Sequence, residues 1–433
     1  MLCVAAGLAF GFGPAALHPL VAVPFALAPG SRAGAFGGAG AWAGAATLPA
    51  GLAAFDYTDS VGTAALAWAV PAGTIALILG AAFAAPRRWR APAVAVALVA
   101  ISVPPVSGLA FVSPLPVAGL LFPGLGAVGL VALVAVLSLL AVVRPDERAV
   151  ASGRRAGVRQ AGAAVAVAAA AVTGVAVAVA ATGVDPIPSP PSDADGPVVV
   201  GLDTYRGMPD ARRAALFGPA WRMEEHDLAP AAAGGRGDRP GTVSSDDAVA
   251  HDVARRDAPG RLTVLWPEGV YGDRDPTAGA LLVASPVRHV GGARIHVDET
   301  SYVNALVDGA TGELLYAQRR PVPLAVDGAH RAVAGDRLPA DRADEAGTDR
   351  IDALLCIELA DPWLAATTFA RADGPVLWAA NLGWSTRPGL HRRMRATGEQ
   401  WSALFDRPLV AAVNHPAPDG VGAGADPAGA GDA

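Results

Sequence analysis

The sequence holds two cysteines, and one of them, Cys356, lies in the more polar half of the chain. It stands in the run Leu354-Leu355-Cys356-Ile357-Glu358, which reads as a buried strand. Alternation along a strand then points Glu358 to the same face as Cys356. A second carboxylate, Glu268, closes another apolar run as Trp266-Pro267-Glu268. A thiol with carboxylates is the equipment of acyl transfer through sulfur, which needs a thiolate, a base to make it and donors for the oxyanion of the tetrahedral intermediate. Each residue also has a plainer reading, Cys356 as a core thiol and Glu268 as the cap of the turn that follows. Cys3 sits in the first apolar segment, so no disulfide framework is expected and Cys356 is read as a free thiol. The chain has no lysine, and all 33 basic residues are Arg.

The elements that must position these groups fall in two halves. At 52 % hydrophobic residues and a mean hydropathy of +0.38, the chain is more apolar than an ordinary soluble protein. The first 184 residues carry nine Arg against four acids and the rest 24 Arg against 35 acids, which makes the net charge of −6. An acidic polar half argues against nucleic acid as a partner, since that needs a basic footprint. Apolar runs at 2–13, 15–29, 33–54, 62–84, 91–112, 116–143 and 161–183 read as about seven membrane segments making a helical domain over 1–184. Gly13-Pro14 breaks the first two, and no basic stretch precedes them as a cleaved signal would require. The loops holding Arg87, Arg88 and Arg90 and Arg144 to Arg159 belong inside, while Asp56 to Asp59 and the uncharged turn near 113–116 belong outside.

A Pro- and Ser-rich linker over 185–196 leads to a domain over 197–415, and an Ala-, Gly- and Asp-rich stretch over 416–433 reads as a disordered tail. Short apolar runs at 197–202, 262–266, 281–285, 302–307, 314–316, 351–357, 376–380 and 409–413 read as strands. Helices are expected at 209–218, 245–256, 362–371 and 391–405, and 230–241 as a surface insertion. Strands and helices in this mixture point to an α/β or α+β domain.

Five blocks of this domain, in order, resemble the nitrilase (carbon–nitrogen hydrolase) superfamily and within it the apolipoprotein N-acyltransferases. Trp266-Pro267-Glu268 is similar to the segment bearing the family's general base. Tyr302-Val303-Asn304-Ala305-Leu306-Val307-Asp308-Gly309, followed by Tyr316 and Val322-Pro323, resembles the stretch around its catalytic lysine. Leu354 to Glu358 resembles the nucleophile strand, Asn381 to Trp384 the Asn-x-x-Trp motif, and Arg407-Pro408 with Asn414 the closing strand. Several spans before an outward-facing domain, opening with short apolar segments and His18-Pro19-Leu20, are also similar to that family. The resemblance implies a multi-span α-helical membrane domain followed by an αββα sandwich. It assigns Cys356 as nucleophile, Glu268 as proton acceptor and donor, Glu358 as an orienting group, and Trp266, Asn381 and Trp384 as substrate-binding residues.

The function so implied is transfer of an acyl group from a membrane lipid, through a Cys356 thioester, to an amine such as a lipoprotein N-terminus at the outer face of the cell membrane. It calls for no cofactor and no metal. The same alignment places Gln318 where the family has its lysine. If the strand continued, Arg320 would share that face and supply the missing positive charge, although Arg donates no proton at ordinary pH. Val326 and Ile357 also depart from the family's Glu and Tyr. Two alternatives stay open: a membrane-tethered amide or nitrile hydrolase, and a catalytically degenerate domain that binds a lipid or protein in the old pocket. Protease added to sealed cells is expected to cleave within 197–415; full protection of this half would reverse the orientation.

Overall fold

The computed structural model describes residues 1–27, 31–104, 106–107, 112–142, 198–201, 203–205, 262–268, 273–274, 288–321, 326–327, 330–338, 351–371, 374–383, 385 and 388–415. The expected segment at 161–183, the loop at 144–159, the linker, the tail, the strand at 281–285, the helices at 209–218 and 245–256, the insertion at 230–241 and Trp384 lie outside the described residues.

The N-terminal part is helical. Helix α1 (Leu2–Phe12) stops at Gly13, whose extended backbone is what the residue before Pro14 must adopt. A 3-10 turn (Ala15–Val21) runs into α2 (Ala22–Ala26), and then α3 (Arg32–Thr58) starts on Ser31, whose hydroxyl accepts from the Gly34 N–H at 3.0 Å. Asp59 in the left-handed region ends α3, and Ser60 caps α4 (Val61–Ala84). Helices α5 (Arg87–Ser102), α6 (Ala118–Leu121) and α7 (Gly126–Leu140) complete this part.

Among the described residues one helix, α4, is long and apolar enough to cross a membrane. A second candidate exists if the turn before α6, α6 itself and α7 are one span bent by 104°. Of the expected segments that fall on described residues, one or two pass this test, for local reasons; the segment at 161–183 lies outside those residues. Gly13-Pro14 cuts the first pair into short pieces. Helix α3 spends its length on Ala and Gly, and α5 has 16 residues with three Arg in its first turn.

The C-terminal part is rich in strands: β1 (Val198–Gly201), β2 (Thr204–Tyr205), β3 (Leu262–Leu265), β4 (Asp273–Arg274), β5 (Arg288–Asp298), β6 (Ser301–Asp308), β7 (Leu314–Ala317), β8 (Val326–Asp327), β9 (His330–Ala332), β10 (Ala353–Leu355), β11 (Val376–Asn381) and β12 (Leu409–His415). Two helices, α8 (Pro362–Phe369) and α9 (Pro388–Phe405), lie between β10 and β12. Among the described residues the strands form an eight-stranded sheet in the order β1-β3-β5-β6-β9-β8, with β4 beside β5 and β7 beside β6, and a four-stranded parallel sheet in the order β10-β11-β12-β2.

Alternation along β10 and β11 decides how the layers stack. Leu355, Leu377 and Ala379 turn inward and bury themselves against Leu265, Leu306 and Tyr316 of the larger sheet, so the two sheets meet face to face. Leu354, Trp378 and Ala380 turn the other way, against Leu364 and Phe369 of α8 and Trp401 of α9. That outer apolar cluster continues into Phe10, Trp42 and Leu133 of the N-terminal helices. The join is close: a Cβ on Gly119 of α6 would stand 1.8 Å from the Gln400 carbonyl oxygen of α9, so only glycine fits.

Three expectations change here. The strand placed at 351–357 ends at Leu355, because Cys356 takes φ +51° and the chain enters a 3-10 turn (Cys356–Ala360). Cys356 and Glu358 therefore do not share a strand face. The strand placed at 314–316 ends at Ala317, before Gln318 and Arg320. Strand β5, absent from the sequence reading, carries Gly291-Gly292 in its middle, which dilutes its apolar signal.

Arg407, between α9 and β12, pins the small sheet from below. Its guanidinium donates to Asp352 at 2.8 Å and to the carbonyls of Gly374, Thr368 and Phe369 at 2.9, 2.8 and 3.2 Å. Arg407→Leu strands a nearly buried carboxylate and three carbonyls, and is expected to cost about 3–5 kcal/mol. Thermal unfolding followed by tryptophan fluorescence checks this, with Arg392→Leu on the exposed face of α9 as the control that shifts little.

Candidate active site

The ends of β3, β10 and β11 meet at one point. Glu268 follows β3 by three residues, Cys356 follows β10 directly, and Asn381 ends β11. The Cys356 thiol and the Glu268 carboxylate lie close enough to act on each other's proton, and the N–H of Asn381 donates to Glu268 Oε2 at 3.2 Å. The nearby backbone N–H groups of Ile357 and Asn381 favour the thiolate. Cys356 is buried, and its left-handed backbone, unusual for a side chain with a Cβ, holds the sulfur at the corner where strand becomes turn. A conformation of this kind costs about 1–3 kcal/mol and persists only where the surroundings enforce it.

The enforcement comes from Glu358. Its buried carboxylate accepts from the Tyr316 hydroxyl at 2.7 Å, the Leu355 N–H at 2.8 Å and the Arg319 and Arg320 N–H groups at 2.6 and 2.8 Å. One side chain thereby ties the turn after Cys356 to β7 and to the bend beyond it. Burial raises the Glu358 carboxyl to about 7, with the four donors pulling the other way. Trp378 donates its indole N–H to the Cys356 carbonyl at 3.0 Å and closes the turn from the helix side.

Gln318 is fully buried just past β7. Its Oε1 accepts from Asn304 at 2.9 Å and its Nε2 donates to the Leu355 carbonyl at 3.3 Å, one residue from the cysteine. The position aligned with a lysine thus holds a neutral amide with both ends satisfied. Arg320 is not beside it. Because β7 has ended, the Arg320 guanidinium lies half-exposed, 3.9 Å from Asp361. The positive charge that acts on Glu268 belongs instead to Arg294 of β5. Arg294 pairs in register with Asn304 and lies over the Tyr302 ring at 5.1 Å. Sequence reading missed it with its strand; the signal that remains is the alternation of Ala293, Ile295 and Val297 around it.

Trp266 is buried, with its indole donating to His289 at 3.1 Å. Asn381 Oδ1 accepts from Gly383 N–H and from Asn414, both at 3.2 Å, which fixes the end of β11 against β12. Among the described residues no group of three His, Cys, Asp or Glu side chains converges as a metal ion would require.

No protein-family model matches the chain. A conjugal transfer protein, TraB of Agrobacterium fabrum, is 28 % identical over 181 residues. The match covers 39 % of this chain and 42 % of that protein. The chain therefore matches less than half the length of this curated relative.

The electrostatics of the pair are those of a resting site. Burial first, and then the negative charge and hydrogen bond of Glu268, push the Cys356 thiol well above its usual 9. Burial also raises Glu268, against the thiol, the Asn381 N–H and Arg294. At neutral pH the proton therefore sits on sulfur. With Cys3 replaced by Ala, iodoacetamide should alkylate Cys356 slowly near pH 7 and faster as pH rises past 9. Glu268→Gln removes the opposing charge and should move that profile to lower pH. An unchanged profile would mean that the carboxylate does not act on the sulfur.

Proposed function

We propose that the chain is a membrane-bound acyltransferase of the nitrilase-like kind, with Cys356 as nucleophile and Glu268 as its proton partner. The observation that carries this reading is the buried thiol at a strained strand end, set beside a carboxylate brought from a distant strand. Strain of this type gathers at reactive centres. The two face-to-face sheets, with α8 and α9 outside the smaller one, support an αββα sandwich.

The steps follow from the geometry. Glu268 takes the thiol proton as sulfur adds to an ester carbonyl, and the N–H groups of Ile357 and Asn381 are the donors nearest the oxyanion. Collapse breaks the ester C–O bond; the alkoxide leaves with the proton from Glu268, and the acyl group stays on sulfur as a thioester. An amine then adds to the thioester, gives up a proton by way of Glu268, and departs as an amide while the thiol is restored. Glu358 and Gln318 hold the turn and the strand end in place.

The membrane setting has its own support. Large apolar side chains stand exposed on three helices: Val61, Leu66 and Leu77 on α4, Val96 and Val99 on α5, and Val128, Val131 and Leu139 on α7. An apolar surface of this extent is what lipid covers. In this reading the helical half is a multi-span domain, the sandwich lies on the outer face, the acyl donor is a membrane lipid and the acceptor is the amine of a lipoprotein. The similarity to a conjugal transfer protein adds that process as a context for the acceptor. A second reading, a degenerate binding domain, is favoured by one observation, the satisfied neutral amide of Gln318.

Mass spectrometry of the full chain in lipid separates the two. The enzyme reading expects an acyl adduct on Cys356, removed by hydroxylamine and absent in Cys356→Ala, with Glu268→Gln slowing its formation by about 10²-fold or more, the scale of general acid–base catalysis. A chain that never acquires the adduct in lipid is the binding protein.

A further inference from the structure

Beyond Asn381, the segment that leaves β11 is held by two imidazoles and a carboxylate gathered from three elements. His391 lies in the first turn of α9, His415 ends β12, and Asp203 joins β1 to β2. His391 Nε2 meets the Ser385 carbonyl at 3.1 Å, His391 Nδ1 meets His415 Nδ1 at 3.1 Å, and His415 Nε2 meets Asp203 Oδ2 at 3.2 Å. A carbonyl only accepts, so Nε2 is the protonated nitrogen of His391. In the neutral ring Nδ1 is then an acceptor, and the hydrogen between the two rings must come from His415 Nδ1. That leaves His415 Nε2 facing an oxygen of Asp203. The Asp203 carboxyl also accepts from the Val413 N–H at 2.9 Å and from Arg395 at 3.1 Å. Burial pushes it up, but the hydrogen bonds of His415 and Val413 and the charge of Arg395 hold it below its usual range, so it is a carboxylate and cannot donate. The row therefore closes only when His415 is an imidazolium that donates from both nitrogens.

We propose that these side chains form a proton-gated latch through which His391 positions the segment after β11, closed while the two imidazoles hold one extra proton, on His415, and opened by a second. A second proton would turn His391 Nδ1 into a donor, and two positively charged N–H groups would face each other where one hydrogen now fits. Burial lowers His391 most and the charge of His415 lowers it further, against the carbonyls of Ser385 and Leu382 and the charge of Asp203. Arg395 reaches this group through Asp203, and Asp56 of α3 stands behind Ser385, whose hydroxyl it accepts at 3.0 Å. The sign follows: with His391 lowered in the closed state, closure is favoured above the ordinary imidazole value of 6.5 and is lost as pH falls below it. The latched segment begins at the active site. Asn381 N–H donates to Glu268, Leu382 N–H to the Asn414 carbonyl at 3.0 Å, and Ser385 N–H back to Leu382 at 3.1 Å. His391 touches no reacting atom, so it is a positioning residue. Its bearing on acyl transfer rests on the function proposed above; the latch itself does not.

Hydrogen exchange of the full chain in phosphatidylcholine nanodiscs tests this, read by mass spectrometry on a peptide covering 381–385 and corrected for the intrinsic pH dependence of exchange. Protection of that peptide should fall by up to about tenfold per pH unit below pH 6.5, the limit for an opening coupled to one proton, while a peptide from β6 stays constant. His391→Gln keeps an amide donor for the Ser385 carbonyl but binds no proton, so the fall should vanish in it. The unaltered chain gives a second readout. Magic-angle-spinning NMR of isotope-labelled histidine in the same lipid, assigned with His391→Gln and His415→Gln, should show the first proton on His415 while His391 is still the neutral Nε2–H tautomer. An equal fall in His391→Gln, no fall by about pH 5, or a charged His391 beside a neutral His415 overturns the proposal. Neither measurement reads acyl transfer. A chain that shows the fall yet never forms a Cys356 adduct keeps the latch and loses the enzyme, and one that forms the adduct without the fall keeps the enzyme and loses the latch.

Discussion

The strand-rich half is organised around a single buried carboxylate. Glu358 has two oxygens and four donors, and those donors come from three places: the hydroxyl of Tyr316 on β7, the peptide N–H groups of Arg319 and Arg320 in the bend, and the peptide N–H of Leu355 at the end of β10. A charged acceptor in a dry interior is tolerated only when its lone pairs are filled, so the four partners are conditions for its presence. In return it holds both sheets to one turn. That turn begins at Cys356, whose left-handed backbone would relax if Glu358 let go of Leu355 or of the bend.

The charge balance at the thiol follows from the same enclosure. Desolvation raises both pKa values, and the charge of Glu268 raises the thiol further, while the thiol, the Asn381 N–H and Arg294 pull Glu268 down. A lysine next to them would offset that charge, and the chain has none. Gln318 occupies the neighbourhood without altering the charge, which suits a site that keeps its proton until an electrophile arrives. Arg294 offsets the carboxylate from the side of β5, not from the nucleophile strand. The base therefore feels a cation, and the thiol is left to Glu268 and two peptide N–H groups.

How much of this could be read from the residues depends on the range of the interaction. Strands at 262–266, 302–307, 376–380 and 409–413 were legible because β-branched and apolar runs bounded by turns report local pairing. Glu268 and Cys356 were singled out for residue type and context, and the structure brings them together. Glu358 was legible as a carboxylate near the cysteine, but its task was not, since three of its four donors lie 38 to 42 residues away. The expected place of Arg320 failed because alternation presumes a strand, and β7 stops at Ala317 to let the bend reach Glu358. Fewer described helices are long enough to span than the apolar runs suggest, for a related reason: apolar composition does not reveal where Gly-Pro, Arg clusters and Ala-rich stretches cut or dilute a helix.

The contact between the two halves carries polar side chains that sequence reading gave no role. Arg393 of α9 reaches the Phe10 carbonyl at 2.7 Å and lies over the Phe10 ring at 3.8 Å, while Gln400 contacts His18 at 2.6 Å and Ser385 donates to Asp56 at 3.0 Å. A guanidinium buried between halves must keep its donors filled, so small slips of α9 across the N-terminal helices are costly where an apolar seam would permit them. Helix α9 in turn covers the small sheet through Trp401, against the same strand β11 that ends at Asn381. The placement of the helical half is thereby passed through α9 and β11 to the N–H groups around the sulfur. Such registry fixes the position of the thiol relative to the N-terminal helices, and it gives physical reason for the two halves to share one chain.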